Sequence, residues 1–320
     1  MLEVIEGGLL STVQDRGRDA APLGVSPGGA CDRIALRALE RLIEGSAAIE
    51  MTLLGATFAV HEGCVVGVTG ADLGGGIVEE RRVVRPGTTT LLRAGTTLRF
   101  GTGLDGARAY LSLSGGVDVP EVLGSRSTCL AGGFGGVKGR ALRAGDILRA
   151  VEPGRLDLAD REWPGAVSGA LPEPGVTPVR VVLGPHVAQV GAGALDGLLG
   201  MDWSVDTRSD RMGLRLQGAP ISGSRDRELL SLPMVQGAVQ LPPGGAPIVL
   251  LADHQTVGGY PVPLVVAWVD LPRVAQLRPG DRLRFEGITL DDANRLGLAE
   301  RQEFRDADDR FQRSLGDLPA

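Results

Sequence analysis

Short apolar runs separated by glycine-rich turns make up most of this chain. One block of such runs extends from Ile49 to about Ala150, and a second extends from Val179 to about Phe285. Several runs alternate apolar and polar residues, as in Leu98-Arg99-Phe100. Short alternating runs between glycine turns are typical of strands in a barrel or sandwich. The pattern therefore predicts a mainly β fold with two β-rich subdomains.

Two segments have helical spacing instead. The first begins at Asp32, a good N-cap, and ends at Gly45. The second lies near the C-terminus, where Thr289 and Asp292 can form a capping box. We predict one short helix in the N-terminal half and a mostly exposed amphipathic helix at the C-terminus. The apolar positions that carry these predictions are Ile34, Ala35, Ala38, Leu42 and Ile43 in the first helix and Leu296, Phe304 and Phe311 in the second.

A short phrase with glycine in its middle recurs around Gly95, Gly145 and Gly280. Each copy predicts a turn with glycine at positive φ, followed by a strand. The last two copies share Leu-Arg-x-Gly-Asp. This similarity favours two β units that close with equivalent strands, although a common turn-to-strand phrase explains it equally well.

A proline-rich stretch with little periodicity separates the two strand blocks. It runs from Glu152 to Pro178 and contains five prolines. We therefore predict an N-terminal β-rich subdomain over residues 1–155, a connection over 156–178, a C-terminal β subdomain over 179–288 and a helical tail over 289–320.

Composition and charge narrow the classes of function. The chain has 320 residues and 49 glycines. Its net charge of −6 argues against a protein that binds nucleic acid. Its apolar runs are shorter than a bilayer span, and its acidic N-terminus does not resemble a signal peptide. Cys31, Cys64 and Cys129 are far apart and odd in number, which favours free thiols in a reducing compartment. We expect a cytoplasmic protein that binds no membrane.

Common catalytic motifs do not fit this sequence. His61, His186 and His254 lie far apart in the sequence, so we expect no zinc site. The sequence contains no Walker A motif. Its glycine clusters do not follow a strand and open a helix, which excludes a Rossmann fold.

Two polar loops of the C-terminal half are candidates for a small-molecule site. In the first, Asp210 could act as a base and Arg211 could hold an anion, although a surface ion pair explains them as well. In the second, side chains around a glycine pair could hydrogen-bond an amide or ureido group, or the segment could be only a tight turn. These side chains belong to Gln255, Thr256 and Tyr260, and the glycines are Gly258 and Gly259.

The N-terminal half offers further polar loops. The segment Ser125-Arg126-Ser127-Thr128 could form an anion-binding nest or be a plain polar loop. Gln14, Asp15 and Arg16 could bind ligand or only fix the N-terminus. Asp32 is better explained as an N-cap than as a catalyst. The residues alone thus indicate a soluble β-rich protein that handles a small polar ligand.

Seven segments in one order resemble the KipA-like family. This family also contains the C-type subunits of 5-oxoprolinase and the second subunit of allophanate hydrolase, and it is also called the biotin-dependent carboxyltransferase domain family. The resemblance covers about residues 2–287. The segments are Thr12–Arg18, Gly24–Asp32, Gly70–Asp72, Arg108–Gly116, Gly124–Thr128, Ser209–Gly213 and Gln255–Pro261.

The resemblance implies a cyclophilin-like β-barrel architecture and a hetero-oligomeric enzyme. The chain would be the C-type component of a 5-oxoprolinase. Together with an A-type component and a KipI-like B-type component it would open 5-oxoproline to glutamate with ATP hydrolysis, and it would not be active alone. The absence of a P-loop conflicts with ATP binding by this chain itself.

The resemblance also implies roles for individual residues. It implies catalytic roles for Asp210, Arg211 and Gln255. It implies substrate binding by Gln14, Asp15, Arg16, Asp32, Ser125, Ser127, Thr128, Thr256, Gly258, Gly259 and Tyr260.

Two other functions fit the same resemblance. The chain could be the carboxyltransferase component of a biotin-dependent urea or amide carboxylase, although its one lysine, Lys138, lies in no biotinyl-lysine phrase. It could also be a non-catalytic regulator that binds a KipI-like partner.

Cys31 stands where the family commonly has Met, while His254 and Val257 stand where Arg or Ala and Thr are common. These departures bear mainly on substrate preference.

Overall fold

A computed structural model describes residues 1–103, 105–169, 171–172, 175–221 and 229–316. The chain forms two compact units. The first unit comprises Met1–Asp19, Gly28–Leu171 and Arg301–Ala320. The second comprises Ala20–Pro27 and Pro172–Glu300. The segment Ala20–Pro27, from the N-terminal part of the chain, thus belongs to the second unit.

The first unit contains two antiparallel sheets, and its strands are short, as the alternating runs predicted. They are β1 (Leu2–Glu6), β2 (Leu10–Gln14), β3 (Ala48–Thr52), β4 (Thr57–Val60), β5 (Cys64–Gly70), β6 (Gly76–Ile77), β7 (Arg82–Val83), β8 (Thr88–Leu92), β9 (Thr97–Arg99), β10 (Arg108–Leu113) and β11 (Ile147–Leu148).

One sheet has five strands in the order β2-β3-β10-β5-β8, and the other has six in the order β11-β1-β4-β9-β6-β7. Leu2, Phe58, Ile49 and Met51 are fully buried in one cluster to which both sheets contribute. In the five-stranded sheet, Tyr110 lies opposite Glu50, so two polar side chains meet inside the unit.

The second unit is built on a closed barrel of seven strands in the order β12-β19-β16-β17-β14-β13-β20. Trp203 and Phe285 are fully buried in its core. The predicted β-barrel architecture is therefore confirmed. The barrel strands are β12 (Val176–Leu183), β13 (Asp202–Val205), β14 (Gly213–Gln217), β16 (Ala238–Gln240), β17 (Ile248–Leu250), β19 (Leu264–Val266) and β20 (Arg282–Gly287). Strands β15 (Leu232–Pro233) and β18 (Val257–Gly258) form a separate two-stranded sheet.

Both predicted helices are present. Helix α1 (Arg33–Ile43) begins where Asp32 Oδ1 accepts hydrogen bonds from the N–H groups of Ile34 and Ala35, each at 3.0 Å. Its apolar face packs on the first unit, with every apolar position of the predicted stripe except Ile34 buried. Three further helices, which the sequence did not reveal, are α2 (Val187–Val190), α3 (Ala192–Gly200) and α4 (Leu271–Ala275).

Helix α5 (Leu290–Gly316) is the predicted C-terminal helix. The N–H of Asp292 donates to Thr289 Oγ1 at 3.1 Å, as the capping box requires. Among its predicted apolar positions, Phe311 is fully buried and Phe304 is half-buried. In the part of the chain that the structure describes, no helix combines the length and the apolar character needed to cross a membrane.

The recurring glycine phrase has the predicted geometry but not equivalent partners. Gly95, Gly145 and Gly280 all have positive φ, and a strand follows each. However, β11 pairs antiparallel with β1, whereas β20 pairs parallel with β12. The two closing strands are therefore not equivalent, and the common turn-to-strand phrase is the better explanation.

The proline-rich segment makes specific contacts in the first unit. Trp163 is buried and lies 5.2 Å and 5.4 Å, between ring centroids, from Phe304 and Phe311 of α5. Arg37 of α1 lies 3.8 Å above the Phe304 ring. Residues 301–316 of α5 are therefore anchored on α1 and Trp163 by aromatic packing.

Replacing Phe311 with alanine should lower the free energy of unfolding by about 3–5 kcal/mol, because it removes a fully buried ring. Urea denaturation measures this change. Leu298→Ala is the matched control on the same helix, since Leu298 is 61% exposed, and it should change stability little. Equal effects of the two substitutions would show that α5 is not anchored through Phe311.

Candidate functional site

The two polar loops of the second unit lie against each other. Arg211 is buried, and its Nε and Nη2 atoms donate to the two carboxylate oxygens of Asp253 at 2.9 and 3.0 Å. The N–H of Asp253 also donates to the carbonyl of Arg211 at 2.9 Å. The predicted two-pronged binding of an anion by Arg211 thus involves a carboxylate of this chain. This pair fixes the loop around residue 210 to the loop that leads to Gln255.

Asp210 itself is exposed and shapes its own loop. Its Oδ1 atom accepts hydrogen bonds from the N–H groups of Met212 at 2.9 Å and Gly213 at 3.1 Å. Such an Asx turn is a common structural use of aspartate. One carboxylate oxygen therefore holds the turn in place, and the catalytic role of Asp210 stays a prediction.

Gln255 belongs to a line of three side chains. Its Nε2 atom donates to Gln240 Oε1 at 3.1 Å, and Gln240 Nε2 donates to the sulfur of Met234 at 3.4 Å. Gln240 and Met234 are buried, whereas Gln255 is half-buried. The buried end of the line therefore holds the half-buried amide of Gln255.

The remaining predicted residues of this loop form a small ribbon. The N–H of Met234 donates to the carbonyl of Thr256 at 2.9 Å, and Gly258 pairs with Leu232 of β15. A Cβ atom at Gly258 would lie only 2.7 Å from Gln240 Nε2, so the glycine permits a close approach of backbone to this amide. Gly259 and Tyr260 are exposed at the end of the ribbon.

His254 lies between Asp253 and Gln255 and is buried. Its Nδ1 atom lies 2.8 Å from the carbonyl oxygen of Gln255, which can only accept, so Nδ1 carries the proton. In the neutral ring, Nε2 is then the basic nitrogen. Burial lowers the pKa of His254, against opposing effects of this hydrogen bond and of the Asp253 charge. The imidazole is thus held neutral at physiological pH.

In the first unit, the predicted anion-binding nest is filled by Asp15. Its carboxylate accepts from Ser125 Oγ at 2.6 Å, the Arg126 N–H at 2.6 Å, Ser127 Oγ at 2.5 Å and the Gly17 N–H at 2.9 Å. Burial raises the pKa of Asp15, but these hydrogen bonds outweigh it and leave the pKa lowered. The segment does bind an anion, and that anion is an aspartate of the same chain.

Gln14 and Thr128 extend this cluster and are both fully buried. Gln14 Nε2 donates to Thr12 Oγ1 at 2.9 Å, and its Oε1 accepts from the N–H of Gly29 at 3.2 Å. Thr128 donates from both N–H and Oγ1 to the carbonyl of Val13, at 2.8 and 3.0 Å. Five predicted site residues are thus brought together: Gln14, Asp15, Ser125, Ser127 and Thr128.

Asp32 and Arg16 have other partners. Besides capping α1, the buried Asp32 accepts at Oδ2 from Ser168 Oγ and the Gly169 N–H, both at 2.8 Å. Arg16 is exposed and pairs with Glu40 of α1 at 2.7 Å. These contacts anchor α1 in the first unit, and substrate binding by either residue stays a prediction.

The glycine-rich loop at residues 132–139 does not fit a nucleotide triphosphate. The N–H groups of Gly133, Gly136 and Gly139 donate to carbonyl oxygens at 2.8–3.0 Å and so are not available to phosphates. A Cβ at Gly135 would lie 2.1 Å from the Ser127 carbonyl oxygen, so the loop packs on its neighbour instead of forming a cradle. Across the described residues, no group of three or more His, Cys, Asp or Glu is placed to hold a metal ion.

The residues around Arg211 and Gln255 form what we call the second-unit cluster. Three of its residues were not predicted: Asp253, Gln240 and Met234. A polar residue inside the apolar run Ala238–Leu241 was a readable signal for Gln240, because such positions are normally apolar. Asp253 directly precedes the predicted loop, but nothing in its spacing reveals Arg211 as its partner. Met234 has no signal of its own.

Residues 23–287 match the family model described as carboxyltransferase domain, subdomain A and B. The chain belongs to this carboxyltransferase domain family. The resemblance seen in the sequence is therefore confirmed. The match includes the whole of the second-unit cluster.

Relatives of known name support the main functional interpretation. The chain is 34% identical to the C subunit of Escherichia coli 5-oxoprolinase, over 92% of this chain and 93% of that protein. It is 33% identical to the C subunit of Haemophilus influenzae 5-oxoprolinase, over 92% of this chain and 94% of that protein. It is also 29% identical to the urea amidolyase of Lachancea kluyveri, over 92% of this chain but 17% of that protein.

Two solved structures of longer proteins contain the fold of this chain. The crystal structure of TTHA0988 has a TM-score of 0.77 and 34% identity over 89% of this chain, which spans only 55% of that chain. The urea carboxylase of Kluyveromyces lactis has a TM-score of 0.82 and 28% identity over 97% of this chain, which spans 29% of it. In both structures the matched region is therefore only part of a longer chain.

Replacing Asp15 with asparagine should lower the free energy of unfolding at pH 7 by about 2 kcal/mol, because an amide NH2 would face donors in the nest. The pKa of Asp15 is lowered in the folded state. The stability it confers is therefore present above about pH 4 and is lost as pH falls through the lower folded pKa. Urea denaturation from pH 7 to pH 2.5 measures both effects. Asp118→Asn, at an exposed aspartate, should show neither; an equal effect there would contradict the account.

Replacing His254 with glutamine should weaken the pH dependence of stability below neutrality. The folded pKa of His254 is lowered, so the unfolded chain takes up a proton that the folded chain resists as pH falls through about 6.5. The wild-type free energy of unfolding should therefore fall from pH 7 to pH 5 more steeply than that of the variant. Urea midpoints at these pH values decide this. His61→Gln, at an exposed histidine, is the control; a wild-type slope in His254→Gln would refute a neutral buried imidazole.

Proposed function

We propose that this protein is the C-type component of an ATP-dependent 5-oxoprolinase that opens 5-oxoproline to glutamate. The observation that carries the proposal is the identity of 34% with the C subunit of a 5-oxoprolinase along nearly the full length of both chains. A match along nearly the whole of such a component favours a function like that component's.

The second-unit cluster supports this substrate class. 5-Oxoproline presents a lactam N–H next to a carbonyl, and a ring N–H needs a hydrogen-bond acceptor. Gln255 has its nitrogen engaged by Gln240 at 3.1 Å, which leaves its oxygen to accept from such a group. The basic Nε2 of the neutral His254 belongs to the same loop. We assign Gln255 to binding of the lactam and the Arg211–Asp253 pair to holding the loop in place.

The chemistry of this chain is therefore binding and orientation. Opening a lactam requires the ring to be oriented while its amide bond is activated. A fixed hydrogen bond to the ring reduces the entropy that is lost in reaching the transition state. Gln255, Thr256, Gly258, Gly259 and Tyr260 form the segment that we propose lines the substrate, with Asp210 at the neighbouring turn. In the first unit, the hydrogen bonds of Asp15 hold its own loop against the loop of residues 125–127.

The other components of the complex follow from the same proposal. An A-type component and a KipI-like B-type component are its partners, and ATP is used by the complex as a whole; the glycine-rich loop of this chain donates its N–H groups to its own carbonyls. A cytoplasmic location is consistent with three buried free cysteines, Cys31, Cys64 and Cys129.

A biotin-dependent carboxyltransferase acting on urea or a related amide is the alternative. It is favoured by the family match over residues 23–287 and by the likeness to Kluyveromyces lactis urea carboxylase, at a TM-score of 0.82. Urea also presents N–H groups beside a carbonyl, so the same acceptor would serve. Under this alternative, a separate carrier protein would supply carboxybiotin.

Reconstitution separates these functions. The chain is mixed with the purified A-type and B-type components from the same genome, and ATP hydrolysis is followed with and without 5-oxoproline. We expect 5-oxoproline-dependent hydrolysis and glutamate formation that exceed those of the two other components alone. No increase on adding this chain would refute the proposal, and carboxylation of urea with a biotin carrier would establish the alternative.

Within that assay, Gln255→Ala should lower kcat/KM for 5-oxoproline by about 10–100-fold, the usual consequence of losing one hydrogen bond in a site. Gln302→Ala removes an exposed glutamine of α5 and should leave the rate unchanged. Full activity of Gln255→Ala would contradict the assigned role and would favour a purely regulatory function.

A further inference from the structure

Two buried side chains behind Gln255 determine which end of its amide faces outward. The sulfur of Met234 lies 3.4 Å from Gln240 Nε2, and Gln240 Oε1 lies 3.1 Å from Gln255 Nε2. A thioether sulfur has lone pairs but no hydrogen, so it can only accept. The line therefore begins at a group whose hydrogen-bonding sense cannot change.

The two ends of a glutamine amide are nearly identical in shape, so each amide can in principle be turned over. Turning over both amides keeps a bond between Gln240 and Gln255 but points the Gln240 carbonyl at the sulfur. Gln240 is only 2% exposed, so that carbonyl would lose its donor. An unpaired buried acceptor disfavours this arrangement by about tenfold or more. Turning over one amide alone breaks the bond between the glutamines.

Gly258 limits movement of the buried amide. A Cβ atom at this position would lie 2.7 Å from Gln240 Nε2 and 3.1 Å from Met234 Cγ. A side chain at this position would therefore clash with Gln240 and Met234, so the backbone of the ribbon packs closely on them. This packing restricts the space in which the Gln240 amide can move.

The remaining polar atom of the line is Gln255 Oε1. Gln255 is half-buried, one of the two N–H groups on its nitrogen donates to Gln240, and its oxygen accepts no hydrogen bond from the residues that the structure describes. We propose that Met234 and Gln240 are positioning residues that make Gln255 present this oxygen, so that the site takes ligands that donate an N–H and rejects isosteres that offer only lone pairs. The choice of lactam as ligand rests on the proposed function, whereas the orientation of the amide does not.

Neutron diffraction from a deuterated crystal of the full chain tests the orientation directly, because it distinguishes ND2 from oxygen. We expect the ND2 group of Gln240 to face the Met234 sulfur and the ND2 group of Gln255 to face Gln240. A Gln240 carbonyl oxygen facing the sulfur would overturn the proposal. This result is independent of whether the protein acts on 5-oxoproline.

Ligand discrimination tests the consequence in the reconstituted complex. The probes are 5-oxoproline and the lactone 5-oxotetrahydrofuran-2-carboxylate, in which a ring oxygen replaces the N–H. Met234→Leu keeps the volume of the side chain but removes the acceptor, so the two amide orientations become about equally populated. Affinity for 5-oxoproline should then fall only about twofold, while affinity for the lactone should rise about fivefold or more.

A rescue variant and a matched control complete the experiment. In Met234→Leu/Gln240→Glu, the ionised carboxylate at 240 can only accept from Gln255, so discrimination against the lactone should return at pH values at which this carboxyl is ionised. Met212→Leu changes a half-exposed methionine of the neighbouring loop and should leave discrimination as in the wild type. Unchanged discrimination in Met234→Leu would overturn the proposal. A complex that binds neither probe would refute the proposed function, and the neutron result would then decide the orientation alone.

Discussion

A buried hydrogen-bonding group needs a partner of the opposite kind, and this constraint shapes both polar clusters of the protein. In the first unit, the Asp15 carboxylate is an acceptor surrounded by the donors of Gly17 and residues 125–127. In the second, Arg211 is a donor fork matched to the carboxylate of Asp253. Each loop that looked available to a ligand is first held in shape by a residue of the chain itself. Such internal pairing keeps loops rigid, which is what a binding site needs before its ligand arrives.

The same constraint gives direction to side chains that have two possible orientations. The neutral imidazole of His254 carries its proton on Nδ1 because the carbonyl of Gln255 can only accept. Gln240 turns its nitrogen towards Met234 because a thioether can only accept. Both fixed orientations leave an acceptor, a ring nitrogen or an amide oxygen, in a segment that lies within the residues matched by the carboxyltransferase domain family. Substrates with N–H groups beside a carbonyl would suit such a segment.

Local signals in the sequence revealed much of the fold. Asp32 and the apolar stripe that follows it specified α1, and Thr289 with Asp292 specified the start of α5. Alternating runs revealed the β-rich units, but their strand order depends on pairing between distant segments, such as β12 with β20. Helix α3 was missed because its segment is rich in glycine and small apolar residues and lacks a polar face. The docking of α5 depends on Trp163, which lies in a stretch whose prolines concealed its packing.

The candidate site shows the same limit. The loops 209–213 and 255–261 could be singled out because polar residues and glycines interrupt apolar runs. Their connection through Asp253, and the buried support of Gln255 by Gln240 and Met234, depend on contacts between residues distant in sequence. Gln255, Gln240 and Met234 form one cluster. Gln240 does not reach the substrate itself, and it affects substrate binding only through Gln255.

A double-mutant cycle on kcat/KM for 5-oxoproline in the reconstituted complex tests this claim most directly. Gln240→Ala, Gln255→Ala and the double variant are compared with the wild type, with thermal unfolding measured in parallel. We predict that Gln240→Ala lowers kcat/KM when Gln255 is present but changes it little once Gln255 is alanine, a coupling of about 1 kcal/mol or more. Additive effects of the two substitutions would contradict the account.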